Sequence, residues 1–168
     1  MKKRGFEIVT AYQKEEINLP KRATTHAAGY DFEAAADVVI PSIWKQLFSR
    51  VNGDNSKTEK QLKPILVPTG IKAYMGEDEY LQIANRSSNP LKRFLVVSNG
   101  IGVIDSDYYN NEENEGHIFI QFSNFGLRDI SIKKGDRIGQ GIFLPFLKAD
   151  QEEKGEKRKG GFGSSDKK

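Results

Sequence analysis

The sequence predicts an all-β domain, a jelly-roll or distorted barrel-like fold carrying one short helical insertion. Three observations point there. The apolar residues fall in short runs, several of them alternating with polar positions; clusters of Gly, Pro, Asn and Asp separate the runs; and only one segment carries helical spacing. At 168 residues the chain is expected to form a single β domain over 1–150, followed by a flexible C-terminal arm over 151–168.

In chain order, residues 5–12, 32–40, 65–74, 80–84, 94–98, 118–122 and 142–146 read as strands. Pro145 has no backbone N–H, so the last run is expected at an edge or a strand end. The helical exception is 42–51, where Ile43, Leu47 and Val51 recur every four residues behind Pro41, with Ser42 as N-cap. Together with the polar loop that follows it, this makes 42–63 an insertion whose apolar face must pack somewhere. The run 110–116 is too polar for a strand and is expected as a long hairpin tip. From Gln151 no apolar residue occurs before Phe162, so the linker and tail are expected to be poorly ordered without ligand.

Composition narrows the function classes. The net charge of +3 is uneven: from Lys154 onward six basic residues face two acids, a net of +4, so residues 1–153 sum to −1. A neutral body with a basic tail suits a polyphosphate ligand, and no nucleic-acid partner is expected. The absence of cysteine excludes disulfides and thiolate metal sites. No run reaches a membrane span and the basic N-terminus leads into no apolar stretch, so no membrane partner and a cytoplasmic location are expected.

The most informative stretch is 99–108. It is apolar where a strand would be buried, carries Gly100 and Gly102, and ends in Asp105, Asp107 and Tyr108. As a hairpin it would offer backbone donors and acceptors to a flat ligand, a carboxylate to a reacting water, and a ring. On an extended strand residues 105 and 107 share a face, so geometry does not choose between the acids. The run 160–165 sets one aromatic, Phe162, among glycines and serines. The two elements suggest a nucleotide pocket closed by a mobile tail.

Three polar islands lie between the strands. Residues 85–90 hold Arg86, Ser87 and Ser88, a guanidinium, hydroxyls and amides suited to phosphate oxygens, the more so if a helix begins there. Residues 135–140 form a turn entering a strand with Gln140 open to hydrogen bonding, and 28–31 place Asp31 at a strand start. Each alone is an ordinary turn. His26 and His117 have neither zinc-ligand spacing nor a triad context and read as surface or loop residues, and no phosphate loop or dinucleotide fingerprint is present.

In their order these segments resemble the five motifs of the trimeric dUTP pyrophosphatases (dUTPases): 28–31, 86–88, 99–108, 135–140 and 160–165. Gly139 stands where alanine is commoner in the family. The resemblance implies a homotrimer hydrolysing dUTP to dUMP and pyrophosphate, which keeps uracil out of DNA. It implies that Asn99 and the backbone of Gly102, Val103 and Ile104 read uracil, and that Tyr108 lies against the deoxyribose. It gives Asp105 the role of general base, and Arg86, Ser87, Ser88 and Gln140 the phosphate oxygens. Mg2+ would be held through the triphosphate, with Asp31 as a candidate outer-shell group and no direct protein ligand. From the arm of another subunit, Phe162 and Gly163 would cover the base while Ser164 and Ser165 meet the γ-phosphate. The family arginine five residues before that phenylalanine is here Lys157, with Arg158 one residue later, so Lys157, Arg158 and Lys159 are all candidate tail cations.

The 42–63 insertion has no counterpart in the minimal scaffold of the family. Such additions are commoner in phage-type members and give a candidate surface for a protein partner. Two other readings stand beside the first: a relative of dCTP deaminase on the same scaffold, and a nucleotide-sensing regulator acting through that insertion.

Overall fold

A computed structural model describes residues 2–51 and 63–151. The strands, in order, are β1 (Gly5–Ile8), β2 (Lys21–Arg22), β3 (Tyr30–Glu33), β4 (Val38–Ile40), β5 (Ile65–Pro68) and β6 (Ile71–Tyr74). They continue as β7 (Glu79–Asn85), β8 (Leu95–Val97), β9 (Gly102–Asp105), β10 (Phe119–Asn124), β11 (Ile130–Ile132) and β12 (Arg137–Pro145). Among the described residues two short helices join them, α1 (Ile43–Val51) and α2 (Ser88–Arg93). The longest strand, β12, is central to a five-stranded antiparallel sheet of order β2-β3-β12-β7-β9. A second sheet runs β5-β10-β8, and two-stranded ladders β1-β6 and β4-β11 complete the all-β architecture.

Alternation decides what is buried. Along β10 the inward residues Ile120 and Phe122 are nearly inaccessible, and they meet Phe32, Leu81, Ile83, Ile104 and Ile138 from the larger sheet in one core. Each such side chain contributes about 1.5–3 kcal/mol through burial. Glycines let the sheets approach: a Cβ on Gly141 would lie 2.7 Å from Phe32 Cε2, and one on Gly139 would lie 2.6 Å from Ile120 Cδ1. In this chain Ile120 occupies the space that an alanine at 139 would need.

Several expectations are corrected. The run 32–40 breaks into β3 and β4, because the Ala34 and Ala35 amides donate to Asp136 and Pro68 carbonyls instead of continuing the ladder. The run 65–74 breaks at Gly70, whose φ of +70° makes the turn between β5 and β6. The run 5–12 ends β1 at Ile8 and continues as a 3-10 turn over Thr10–Tyr12. The two or three residues of β2 and β11 are too short for a periodic signal. Pro145 does end its strand, opposite Glu79.

Neither 99–108 nor 110–116 is part of a paired hairpin. β8 pairs with β10 and β9 pairs with β7, so the turn at 98–101 carries the chain from one sheet to the other, and 110–116 carries it back. That return segment is firmly tied. Glu115 accepts from the Thr10 amide at 2.7 Å and its hydroxyl at 2.6 Å, while Lys72 Nζ donates to Asn110 Oδ1 at 2.6 Å.

Helix α1 forms as the sequence predicts, with Ser42 Oγ accepting the Trp44 amide at 3.2 Å. Leu47 is 38% exposed, and among the described residues the helix is tied by polar contacts: Ser42 N to Asp129 Oδ1, Lys45 Nζ to Asp129 Oδ2, and Trp44 Nε1 to the Phe125 carbonyl.

Candidate active site

Three of the polar islands converge at one end of the five-stranded sheet. The register sets Gln140 opposite Asp31 on one side and Ala84 on the other, and Arg86 follows directly from β7. Asp31 Oδ1 accepts from Arg86 Nε and Asp31 Oδ2 from Arg137 Nη1, each at 3.2 Å. Arg86 Nη1 also donates to the Arg137 carbonyl at 3.3 Å. The half-buried pair of Asp31 and Arg86 is thus a fixed feature, unlike a surface ion pair of two mobile chains.

Gln140 is already engaged, its Nε2 donating to the Asn85 carbonyl at 3.1 Å. A Cβ on Gly29 would lie 2.3 Å from Gln140 Oε1, so the glycine of the first island makes room for the glutamine of the fourth. Ser87 and Ser88 open α2, with Ser87 exposed and its hydroxyl making no capping bond. Buried Asn89 donates to Asn85 Oδ1 and the Ile138 carbonyl, both at 2.8 Å, and fixes α2 to β7 and β12. Sequence reasoning assigned no role to Asn89 or Arg137, because their partners are distant in the chain.

The candidate base-reading residues gather on the edge strand β9, across β7 from Gln140. Asn99, Gly102, Val103 and Ile104 line a pocket of about 230 Å3, joined by Ile83, Phe119 and Gln121. Gly102 matters through its neighbour: a Cβ there would lie 3.2 Å from Ile83 Cβ. Asp105 ends β9 opposite Tyr80 and is half-buried. Asp107 falls in the 3-10 turn Ser106–Tyr108 and is exposed. The two acids therefore do not share a strand face, because the strand stops between them.

Tyr108 is only 4% exposed, packs in the core cluster, and does not line that pocket. Its hydroxyl donates to the His117 carbonyl at 2.9 Å and accepts from Asn114 Nδ2 at 2.8 Å. His117 is buried too, not a surface residue. Its Nε2 accepts the Gly70 amide at 2.9 Å, and burial pushes its pKa down to about 4. It is a neutral structural acceptor.

Asp105 lies far from Arg86 within one chain. It is level with Tyr80, and Arg86, just past the end of β7, is six residues further on, a separation of roughly 20 Å at strand rise, whereas Gly102 is level with Ile83 and much nearer to Arg86. Among the described residues no three His, Asp or Glu side chains gather to hold a metal ion. The carboxylate nearest the phosphate-type donors is Asp31, whose oxygens can accept from an ion-bound water.

The dUTPase family profile matches residues 55–166, two thirds of the chain. The chain belongs to the dUTPase family. The deoxyuridine 5'-triphosphate nucleotidohydrolase of Lactococcus lactis subsp. lactis (strain IL1403) is 50% identical over 167 residues, spanning 98% of this chain and 99% of that protein. The crystal structure of dUTPase from Streptococcus mutans matches with a TM-score of 0.72 at 44% identity, covering 87% of this chain and 98% of that one. The dUTPase from phage phi11 of S. aureus, 16% identical, shares the fold with a TM-score of 0.66 over 92% of this chain and 97% of its own. Of the five dUTPase motifs, the structure places four. The fifth, with Arg158, Phe162, Gly163, Ser164 and Ser165, lies outside the described residues.

Proposed function

We propose that this dUTPase chain hydrolyses dUTP to dUMP and pyrophosphate at sites that three copies of it build together. The observation that carries the reading is the separation of roughly 20 Å between Asp105 and Arg86, since a water-activating carboxylate and the cation that steadies the attacked phosphate must act on the same few atoms. One copy cannot supply both to one nucleotide, whereas a neighbour's β9 can. Exposed apolar residues on the strands beside the pocket, Val103 and Val96 among them, provide surface for that contact.

In this reading uracil enters the pocket of Asn99 and Gly102–Ile104. Fixed backbone groups there reject cytosine, since each mismatched buried polar group costs about 1–3 kcal/mol. Asp105 accepts a proton from a water as the water attacks the α-phosphorus, the bond to the pyrophosphate oxygen breaks, and dUMP keeps the attacking oxygen. Arg86, Ser87, Ser88 and Gln140 meet the negative charge that builds on the phosphate oxygens. Mg2+ would arrive with the triphosphate and neutralise part of its charge, with Asp31 as the chain's candidate outer-shell group for it. Arm residues 151–168 from a further copy bring Phe162 over the base, Ser164 and Ser165 to the far phosphate, and a cation from among Lys157, Arg158 and Lys159. The exposed Phe48 and Trp44 of α1 are the insertion's candidate surface for a protein partner.

Mixing tests the shared site directly. Asp105→Asn and Arg86→Ala proteins should each be nearly inactive as purified. Unfolding them together and refolding should restore activity, because some mixed trimers contain a site with both groups intact. If the mixture stays as inactive as its parents while the two proteins demonstrably co-assemble, both groups act within one chain and the shared site is wrong.

A further inference from the structure

We propose that Arg137 is a positioning residue for the reaction: it holds the second oxygen of Asp31 and so fixes the direction in which the Arg86 guanidinium meets the triphosphate. This rests on the reading of Arg86 as a phosphate-contacting group.

A register shift sets the geometry. On β12, Arg137 lies opposite Glu33 and Gly139 opposite Phe32, leaving Ile138 as one extra residue, a β-bulge. Side chains three apart on a regular strand point to opposite faces. The extra residue reverses that parity. Ile138 and Gly139 both turn to the core, where Ile138 is 1% exposed and Gly139 abuts Ile120. Arg137 and Gln140 then both share the outer face with Glu33 and Asp31, their register partners. Bulges re-aim side chains next to active sites, and this one brings a second guanidinium to Asp31.

The hydrogen bonds show what that guanidinium does. Asp31 gives one oxygen to Arg86 Nε and the other to Arg137 Nη1. Arg137 touches Arg86 a second time through its own carbonyl, which accepts Arg86 Nη1 at 3.3 Å. Of the five N–H donors on Arg86, two are thereby committed and three remain in a fixed fork for phosphate oxygens. Without Arg137 the Asp31 carboxylate can rotate, and Lys21, its register partner on β2, is the cation across the ladder from it. Arg137 itself is about half exposed, so its removal opens no core cavity.

The test is a double-mutant cycle in kcat. Arg137→Ala should lower kcat by roughly ten- to a hundredfold, the cost of a small misplacement of a reacting group, with KM for dUTP within about threefold and an unchanged melting temperature. In an Arg86→Ala background the same change should have almost no further effect, because nothing remains to be positioned. Arg137→Lys should recover part of the loss, since an ammonium can still hold one Asp31 oxygen. Full kcat in Arg137→Ala, or effects of the two substitutions that simply multiply, would overturn the proposal. So would a loss confined to KM that fades with added salt, which is the behaviour of a mere attracting charge. If Arg86→Ala itself leaves kcat intact, the phosphate reading of Arg86 fails, and this proposal fails with it.

Discussion

In the proposed reading two neighbouring regions of the larger sheet recognise by opposite means. In the phosphate region, around Gln140 and the end of β7, charged side chains hold one another: Arg86, Asp31 and Arg137 form a chain of contacts, and Gln140 sits where Gly29 leaves space. In the base region, on the edge strand β9, the pocket is mostly backbone and apolar side chains, and the segment that follows β9 is tied by hydrogen bonds among Tyr108, Asn114 and His117. The first region is tuned by side-chain orientation and tolerates exposure. The second depends on how firmly that segment is anchored, and a neutral buried histidine is one of its anchors.

The sharpest way to break this comparison is at Asp105, the proposed base at the end of β9. Asp105→Asn should lower kcat by about 10²- to 10⁴-fold while dUTP binding measured by calorimetry changes little, since shape is kept and proton acceptance is lost. Asp107→Asn, on an exposed turn, should leave kcat near wild type; the reverse pattern would move the base to Asp107.

Acid should separate the two regions next. The folded pKa of His117, about 4, lies below its ordinary value of 6.5, so folding favours the neutral ring. Its contribution is complete above pH 6.5 and is lost as pH falls toward 4, about 3 kcal/mol in all. Glu115, held below its usual range chiefly by the Thr10 hydroxyl, pushes the same way at lower pH. Hydrogen-exchange protection factors across 108–117, corrected for the intrinsic pH dependence of exchange, should therefore fall through this window before those of β3 and β12 do. An equal fall in both regions would remove His117 as the anchor.

Two smaller changes sharpen the contrast. Gly29→Ala should displace Gln140 and lower kcat roughly tenfold with little change in melting, since the clash is with a side-chain oxygen and not with the core. Tyr108→Phe should do the converse, costing about 1 kcal/mol in chemical denaturation through the lost hydroxyl bonds, with kcat nearly unchanged.

Much of this was legible in the sequence, for identifiable reasons. The strands at 80–84 and 118–122 alternate strongly and are long enough to show their period, and α1 announced itself by its cap and spacing. The islands around Asp31, Arg86 and Gln140 were visible as polar interruptions, and the base-reading run as glycines within an apolar stretch. What stayed hidden depends on long-range pairing. The spacing of 99–108 and 110–116 suggests local hairpins, but β8 and β9 find partners in different sheets, and no local pattern records that choice. The burial of His117 depends on Gly70, forty-seven positions away. The role of Arg137 depends on a one-residue bulge that alternation alone cannot reveal. The hydrogen bonds that tie Ser42, Trp44 and Lys45 to residues 125–129 likewise join segments more than eighty positions apart and leave no local pattern.

The placement of β9 at the rim of its sheet has a consequence for how the protein survives in a crowded cell. A rim strand presents a row of backbone groups to any passing chain, and here Val103 and Ile101 add greasy side chains beside it. The segment proposed to read uracil is thus also the segment most able to recruit a stray strand into a growing aggregate. A lone copy, newly made, is at its most vulnerable there, so the proposed trimer would protect this strand as well as complete a site. On that reading selection acts on the strand twice, once for the nucleotide it accepts and once for the misfolded neighbours it must refuse.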